Sequence, residues 1–250
     1  MKNNKYEIDM CNGTLMDKLI SFSLPLMLSG ILQLLFNAVD IIVVGRFTGS
    51  QALAAVGSTT ALINIFTNLF IGISLGANVL AARFYASGKE KEMSETVHTS
   101  ITLALISGLV MALAGVLLAR FALNLMGTPN DVIDQSVLYM RIYFLGMPFI
   151  MAFNFGAAIL RSMGDTRRPL YILVMAGVVN TLLNLLFVIG FGMGVAGVAV
   201  ATGIANAVSA TLIIRLLRKE KEPFRLHFDK MKIHGVELSR MLRIGVPAGV

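Results

Sequence analysis

Residues 19–44, LISFSLPLMLSGILQLLFNAVDIIVV, constrain this chain more than any other stretch. The run is 26 residues long and carries a single charge, Asp40. At ~1.5 Å per residue, about 20 helical residues cross the hydrocarbon layer of a bilayer, so this run spans with length to spare. Pro25, in its first third, removes a backbone donor and gives the helix a place to bend. Gln33, Asn37 and Asp40 follow an i, i+4, i+7 spacing, which puts two amides and a carboxylate on one helical face. Such a stripe is costly in lipid and is tolerated where it faces a protein interior or a water-filled cavity.

The rest of the chain agrees with a membrane setting. Of 250 residues, 56% are hydrophobic and 14% are charged, against ~25% charged in soluble domains. The mean hydropathy is +0.77. Cys11 is the single cysteine, so no intrachain disulfide is expected. No His/Cys cluster suggests a metal centre, and no cofactor is expected. The first apolar run is too long for the core of a signal peptide and lacks a small-residue cleavage site, so it reads as a retained span.

The pattern predicts an all-α polytopic protein with six spans, at about 19–44, 52–82, 93–119, 132–160, 170–189 and 198–217. They are separated by a turn at 45–50, a charged loop at 83–92, a connector holding Gly127-Thr128-Pro129-Asn130-Asp131, a basic loop at 161–169 and an uncharged turn at 190–197. Residues 1–18 read as a polar tail and 218–243 as a polar linker. Of the 21 Lys and Arg, 18 fall in the tail, the 83–91 and 161–168 loops and the 215–243 segment. The opposite side and the fourth span hold Arg46, Arg120 and Arg141. This asymmetry puts the N-terminus and the basic loops in the cytoplasm, and it accounts for the net charge of +7 without nucleic-acid binding.

Residues 241–250, MLRIGVPAGV, can be laid over 19–28, LISFSLPLML, each with a proline shortly after an apolar start. Paired proline-bearing helices at corresponding positions are a mark of internally repeated transporters. Residues 244–250 are therefore read as the start of a second lobe, cut short after about one turn, with a further six-helix lobe expected.

The chain resembles the N-terminal half of the multidrug and toxic compound extrusion (MATE) transporters. The residues that carry the resemblance are SLPLMLSGILQLLFNAVDIIVVGRFTG, ALAAVG, GKEKE, MGTP, GAAILRSMGDTRRP and GVAGVAVATGIANAVS, in that order and spacing. The resemblance implies a six-helix N-lobe (19–217) of a two-lobe, 6+6 bundle. It implies a secondary active transporter of the cell membrane, an H+- or Na+-coupled antiporter exporting small organic, often cationic, drugs and toxic compounds. It implies no enzymatic activity, and the sequence carries no hydrolase, metalloprotease or Walker-type run.

Polar groups recur at helical spacing across the spans. Besides Gln33, Asn37 and Asp40, the fourth span offers Asn154, the fifth Asn180 and Asn184, and the sixth Thr202, Asn206 and Ser209. Asn64, Asn68, Asn206 and Ser209 are read as helix-joining groups, which amides and hydroxyls in spans commonly are. Asp40 is the one acid inside a span. A carboxylate in that setting can take up a proton or give a hard oxygen to a sodium ion; otherwise it reaches interfacial water or pairs with Arg46. The resemblance implies that Asp40, Asn180 and Thr202 line a cation site, with Asn184 beside them. Many family members have aspartate where this chain has Asn184, so Asp40 is left to carry the charge change alone. Pro25 is either a plain kink or a hinge for the first span. Gln33, Asn37 and Asn154 are candidates for the substrate cavity. His98 is read as an interfacial histidine, and Arg141 as either snorkelling or paired.

Two other readings are weighed. A lipid-linked-oligosaccharide flippase of the same superfamily would need cationic groups for pyrophosphate, and the spans hold little beyond Arg141. A single lobe acting without its second half would be inactive unless it dimerised.

Overall fold

The computed structural model describes residues 15–249. They form eight α-helices, with no strand among the described residues: α1 (Leu15–Phe47), α2 (Ser50–Ala86), α3 (Glu90–Leu125), α4 (Ile133–Leu145), α5 (Met147–Ser162), α6 (Arg167–Asn184), α7 (Gly194–Lys219) and α8 (Gly235–Gly249). A π-helical turn, Leu185–Gly190, extends α6, and a single 3-10 turn, Phe228–Lys230, precedes α8. The helices α1, α2, α3, α6 with its π-turn, and α7 are each long and apolar enough to cross a membrane. The pair α4 and α5, bent by 45° at a short break, passes the same test when taken together. The fold is thus an all-helical bundle of up to six spans. Most of the 1–18 tail lies outside the described residues, and residues 15–18 already belong to α1.

The fourth span departs from the single helix expected over 132–160. Pro148 lacks an N–H, and its ring crowds the carbonyl four residues back, so the ladder breaks there. The Gly146 amide turns back to the Tyr143 carbonyl at 2.9 Å, and α5 restarts with the Ile150 amide on the Gly146 carbonyl at 3.2 Å. The elbow is seated on two glycines of α3. A Cβ at Gly108 would lie 2.5 Å from the Pro148 Cα, and one at Gly115 would lie 2.1 Å from the Phe144 ring. Beyond the elbow, α5 is buried on nearly every side, with Met151, Phe155, Ile159 and Leu160 fully enclosed by α2, α3 and α7. A helix apolar all round belongs at the centre of a bundle.

The loops are shorter than the charge pattern suggests. The charged loop expected at 83–92 shrinks to residues 87–89, because α2 runs through Arg83 to Ala86 and α3 begins at Glu90. Gly88 makes this turn with φ +65°, a conformation that costs glycine little. The polar linker expected over 218–243 is largely structured. α7 continues to Lys219, and α8 begins at Gly235, well before residue 244. Between them, Phe224 and Leu226 are buried and the Leu226 amide bonds the Leu217 carbonyl at 3.0 Å. α8 then lies against α2 backbone to backbone. A Cβ at Gly76 would meet the Met241 carbonyl oxygen at 2.3 Å, and one at Gly72 the Gly249 Cα at 2.4 Å. Pro25 and Pro247 both sit inside helices, within α1 and α8.

Candidate functional site

A cavity of about 320 Å³ opens between α1, α2, α5, α6 and α7. Its polar wall is built from residues that helical spacing places on facing sides: Gln33, Asn37 and Asp40 from α1, Asn64, Thr67 and Asn68 from α2, Asn154 from α5, Asn180 from α6, and Thr202, Asn206 and Ser209 from α7. Phe36, Tyr143 and Phe153 supply aromatic surface. Among the described residues no Lys or Arg lines it. Gln33, Asn37, Asn64 and Asn68 are exposed, whereas Asn180 and Ser209 are buried.

Asp40 sits at the junction of α1, α6 and α7. The Asn184 amide nitrogen donates to its Oδ1, and the Thr202 hydroxyl is a second hydrogen-bond partner. The same Asn184 nitrogen donates to Asn180 Oδ1 at 3.1 Å, and Asn180 Nδ2 donates to Thr202 Oγ1 at 3.1 Å. The four side chains form one connected chain across three helices. Every partner of Asp40 in it is neutral, and the ion pairs found among the described residues do not include Asp40–Arg46. Asn184 Oδ1 is buried with no hydrogen-bond partner, which leaves an oxygen beside the carboxylate free to receive a cation or a proton donor. An ionised aspartate at 184 could not donate to Asp40, so asparagine there has a bonding role that a carboxylate would lack. No group of three or more His, Cys, Asp or Glu that could hold a metal ion occurs among the described residues.

Local structure explains the placement. α6 approaches α1 at Gly177, where a Cβ would fall 1.8 Å from the Phe36 ring, so glycine is what lets the two helices close on each other. Asn184 ends the regular α-helix, and the π-turn follows at once. Such turns widen the ladder by one residue and recur at working sites; nothing in the apolar run LLFVIG signals one. Tyr143 enters from the elbow of the fourth span, so its place in the cavity depends on a bend not anticipated from the sequence.

The remaining candidates fall as follows. Asn154 lines the cavity and donates to the Ile150 carbonyl at 3.0 Å. Asn206 and Ser209, read as helix-joining, also face the cavity, as do Asn64 and Asn68. Pro25 is buried away from the cavity lining, with the Ser29 hydroxyl on its carbonyl at 2.8 Å, and α1 continues unbroken through it. Arg141 donates to the Val116 carbonyl at 3.1 Å across the α3–α4 contact. His98, read as an interfacial histidine, is closed off from solvent. It is 2% exposed, with Nδ1 on the Ser94 carbonyl at 2.7 Å, and Nε2 accepts the His227 amide at 3.1 Å.

A second polar cluster, not foreseen, closes the basic end of the bundle. Asp165 is fully buried in the α5–α6 loop and bonds the Arg168 backbone amide at 3.1 Å and its guanidinium. The same guanidinium reaches buried Glu220 just beyond α7. Tyr85 packs edge-on against Phe224 at 4.9 Å, so the α2, α5–α6 and post-α7 segments meet at one end.

A bundle of apolar spans enclosing a polar, carboxylate-bearing cavity is the arrangement of a membrane transporter. Comparison with known proteins agrees. The MatE family model matches residues 25–186, and the chain belongs to this family of multi-pass membrane transporters, which are not enzymes. It is 35% identical over 238 residues to the probable multidrug resistance protein YoeA of Bacillus subtilis, covering 92% of this chain and 51% of that protein. It is 27% identical over 244 residues to the probable multidrug resistance protein YpnP of the same organism, covering 97% of this chain and 54% of that one. An outward-facing multidrug resistance MATE transporter of the MOP superfamily superposes with a TM-score of 0.90 at 24% identity, over 100% of this chain and 55% of its own, and shows the fold. The chain spans about half the length of the relatives it matches.

Proposed function

We propose that this chain supplies one lobe of a cation-coupled antiporter that exports small organic, cationic compounds across the cell membrane, with its N-terminus in the cytoplasm. The observation that carries this reading is Asp40: a carboxylate on a cavity wall, inside a span, held by neutral donors alone. Binding a proton or a sodium ion there changes the charge of the wall by one. That change rearranges the Asn184–Asn180–Thr202 bonds, which tie α1 to α6 and α7. A cation-binding event is thereby linked to the relative position of α1, and Pro25 gives α1 a point at which to bend. The aromatic and amide surfaces beside Asp40 suit flat organic cations, which gain from aromatic faces and a nearby negative charge. The absence of Lys and Arg from the lining argues against a pyrophosphate-bearing lipid as cargo. A second six-helix lobe would form the facing wall.

The test is export of a fluorescent organic cation by the protein in proteoliposomes, driven in turn by a proton and by a sodium gradient. Asp40→Asn is expected to abolish gradient-driven export while leaving the protein folded. Undiminished export would remove Asp40 from the coupling step, and export with neither gradient would overturn the antiport reading.

A further inference from the structure

Outside the polar cavity, exposed cations gather where α7 ends. A cavity of about 440 Å³ is lined there by Arg215, Arg218, Lys219, Arg225, Phe228 and Asp229, among others. All four cations are exposed, and among the described residues none of them pairs with a carboxylate. This is unlike Arg168 nearby, which is spent on Asp165 and Glu220. Asp229 stands on the same cavity without forming an ion pair. The Arg218 guanidinium lies over the Phe228 ring at 4.9 Å. That stacking uses the flat face of the guanidinium and leaves its in-plane N–H donors available to a ligand.

The height of this cavity relative to the bilayer selects the ligand. α7 has 26 residues, more than the ~20 that cross the hydrocarbon layer. That length is enough for its final turns, which carry Arg215, Arg218 and Lys219, to reach headgroup level. Phe228 is 54% exposed beside them, an apolar ring at a polar rim. The local backbone is held in place, since Leu226 is buried and its amide is tied to Leu217. A fixed cavity, four unpaired cations and an exposed aromatic ring at the membrane boundary fit an organic phosphate with acyl chains attached.

We propose that this cavity is a binding site for the phosphate of an anionic glycerophospholipid headgroup, held by Arg215, Arg218, Lys219 and Arg225, with Phe228 against the glycerol region. The site is separate from the Asp40 cavity, and its occupancy does not depend on what that cavity transports.

The test is native mass spectrometry of the protein released from nanodiscs of mixed phosphatidylglycerol and phosphatidylcholine, read as the ratio of the two retained lipids. The wild type is expected to retain phosphatidylglycerol preferentially. The combined variant Arg215→Gln, Arg218→Gln, Arg225→Gln is expected to lower that preference by about tenfold or more. A control variant, Arg83→Gln, Lys89→Gln, Lys91→Gln, removes as many cations from the same end but outside the cavity, and is expected to keep the preference. Equal loss in both variants would mean diffuse surface attraction and would overturn the site. Displacement of the lipid by soluble glycerol 3-phosphate would overturn the lipid assignment in favour of a free phosphate ligand, and unchanged retention in the cavity variant would overturn the proposal outright.

Discussion

Two of the places where the described residues withdraw carboxylates from bulk water do it in opposite ways. At the basic end, Asp165 and Glu220 are both buried and share one guanidinium, Arg168. At the cavity, Asp40 meets amide and hydroxyl groups and no cation. A carboxylate bonded to a fixed countercharge makes a pair that acts as a rivet between segments. One held by neutral donors has no permanent counterion, so its charge can be supplied or cancelled by something that comes and goes. The first arrangement suits architecture, and the second suits coupling. The basic cavity at the end of α7 is the converse case, with four cations that form no ion pair.

The contrast can be broken most forcefully at Arg168. Arg168→Met leaves two buried carboxylates without a countercharge, and breaking a buried pair in this way costs about 3–5 kcal/mol. Thermal unfolding in detergent should show a large drop, with Asp165→Asn and Glu220→Gln added to the same chain restoring much of it. If Arg168→Met melts like the wild type, the rivet reading fails. Asp40→Asn should behave the other way round. Stability should change little, because an amide keeps the volume and no countercharge is stranded. Gradient-driven export should be abolished. His98→Ala comes next, with an expected loss of about 1–3 kcal/mol from the orphaned His227 amide and the vacated space. Increased protease sensitivity of the 220–234 segment would locate that loss. The smallest effect belongs to Arg120→Ala. Its pair with Asp134 at 3.2 Å is 60% and 80% exposed, and such surface pairs contribute about 0–1 kcal/mol. A melting shift as large as that of Arg168→Met would show that burial is not what separates the two kinds of pair.

Much of the cavity was legible in the chain, because helical periodicity is local. The spacing of Gln33, Asn37 and Asp40 on α1, and of Asn180 and Asn184 on α6, already put each group on one face. The assignment of Asn206, Ser209, Asn64 and Asn68 to helix joining did not anticipate that they face the same cavity. A single helix shows which residues share a side, and only the neighbours decide whether that side meets another helix or open space. The enclosure of His98 was unforeseen for the same reason. Its burial depends on a segment about 130 residues away folding back over α3, and nothing near it in sequence announces that. The elbow of the fourth span had a local signal in Gly146 and Pro148. Without the glycines of α3 that receive it, that signal does not distinguish a kink from a break.

By itself, the sequence determined that several segments are long and apolar enough to cross a membrane, roughly where most of them lie, where the positive charge gathers and that one of these segments carries a carboxylate. These follow from apolar length, helical period and the cost of charge in hydrocarbon, all of which act within one segment. The tertiary structure alone decided that Asp40 is met by Asn184 and Thr202 rather than by Arg46, that Arg168 is committed to two acids while the four cations lining the cavity at the end of α7 form no ion pair, and that α8 lies backbone to backbone on α2. Those outcomes depend on which side chains from distant segments arrive at the same point, and the close packing that glycines such as Gly72, Gly76 and Gly177 permit brings them there.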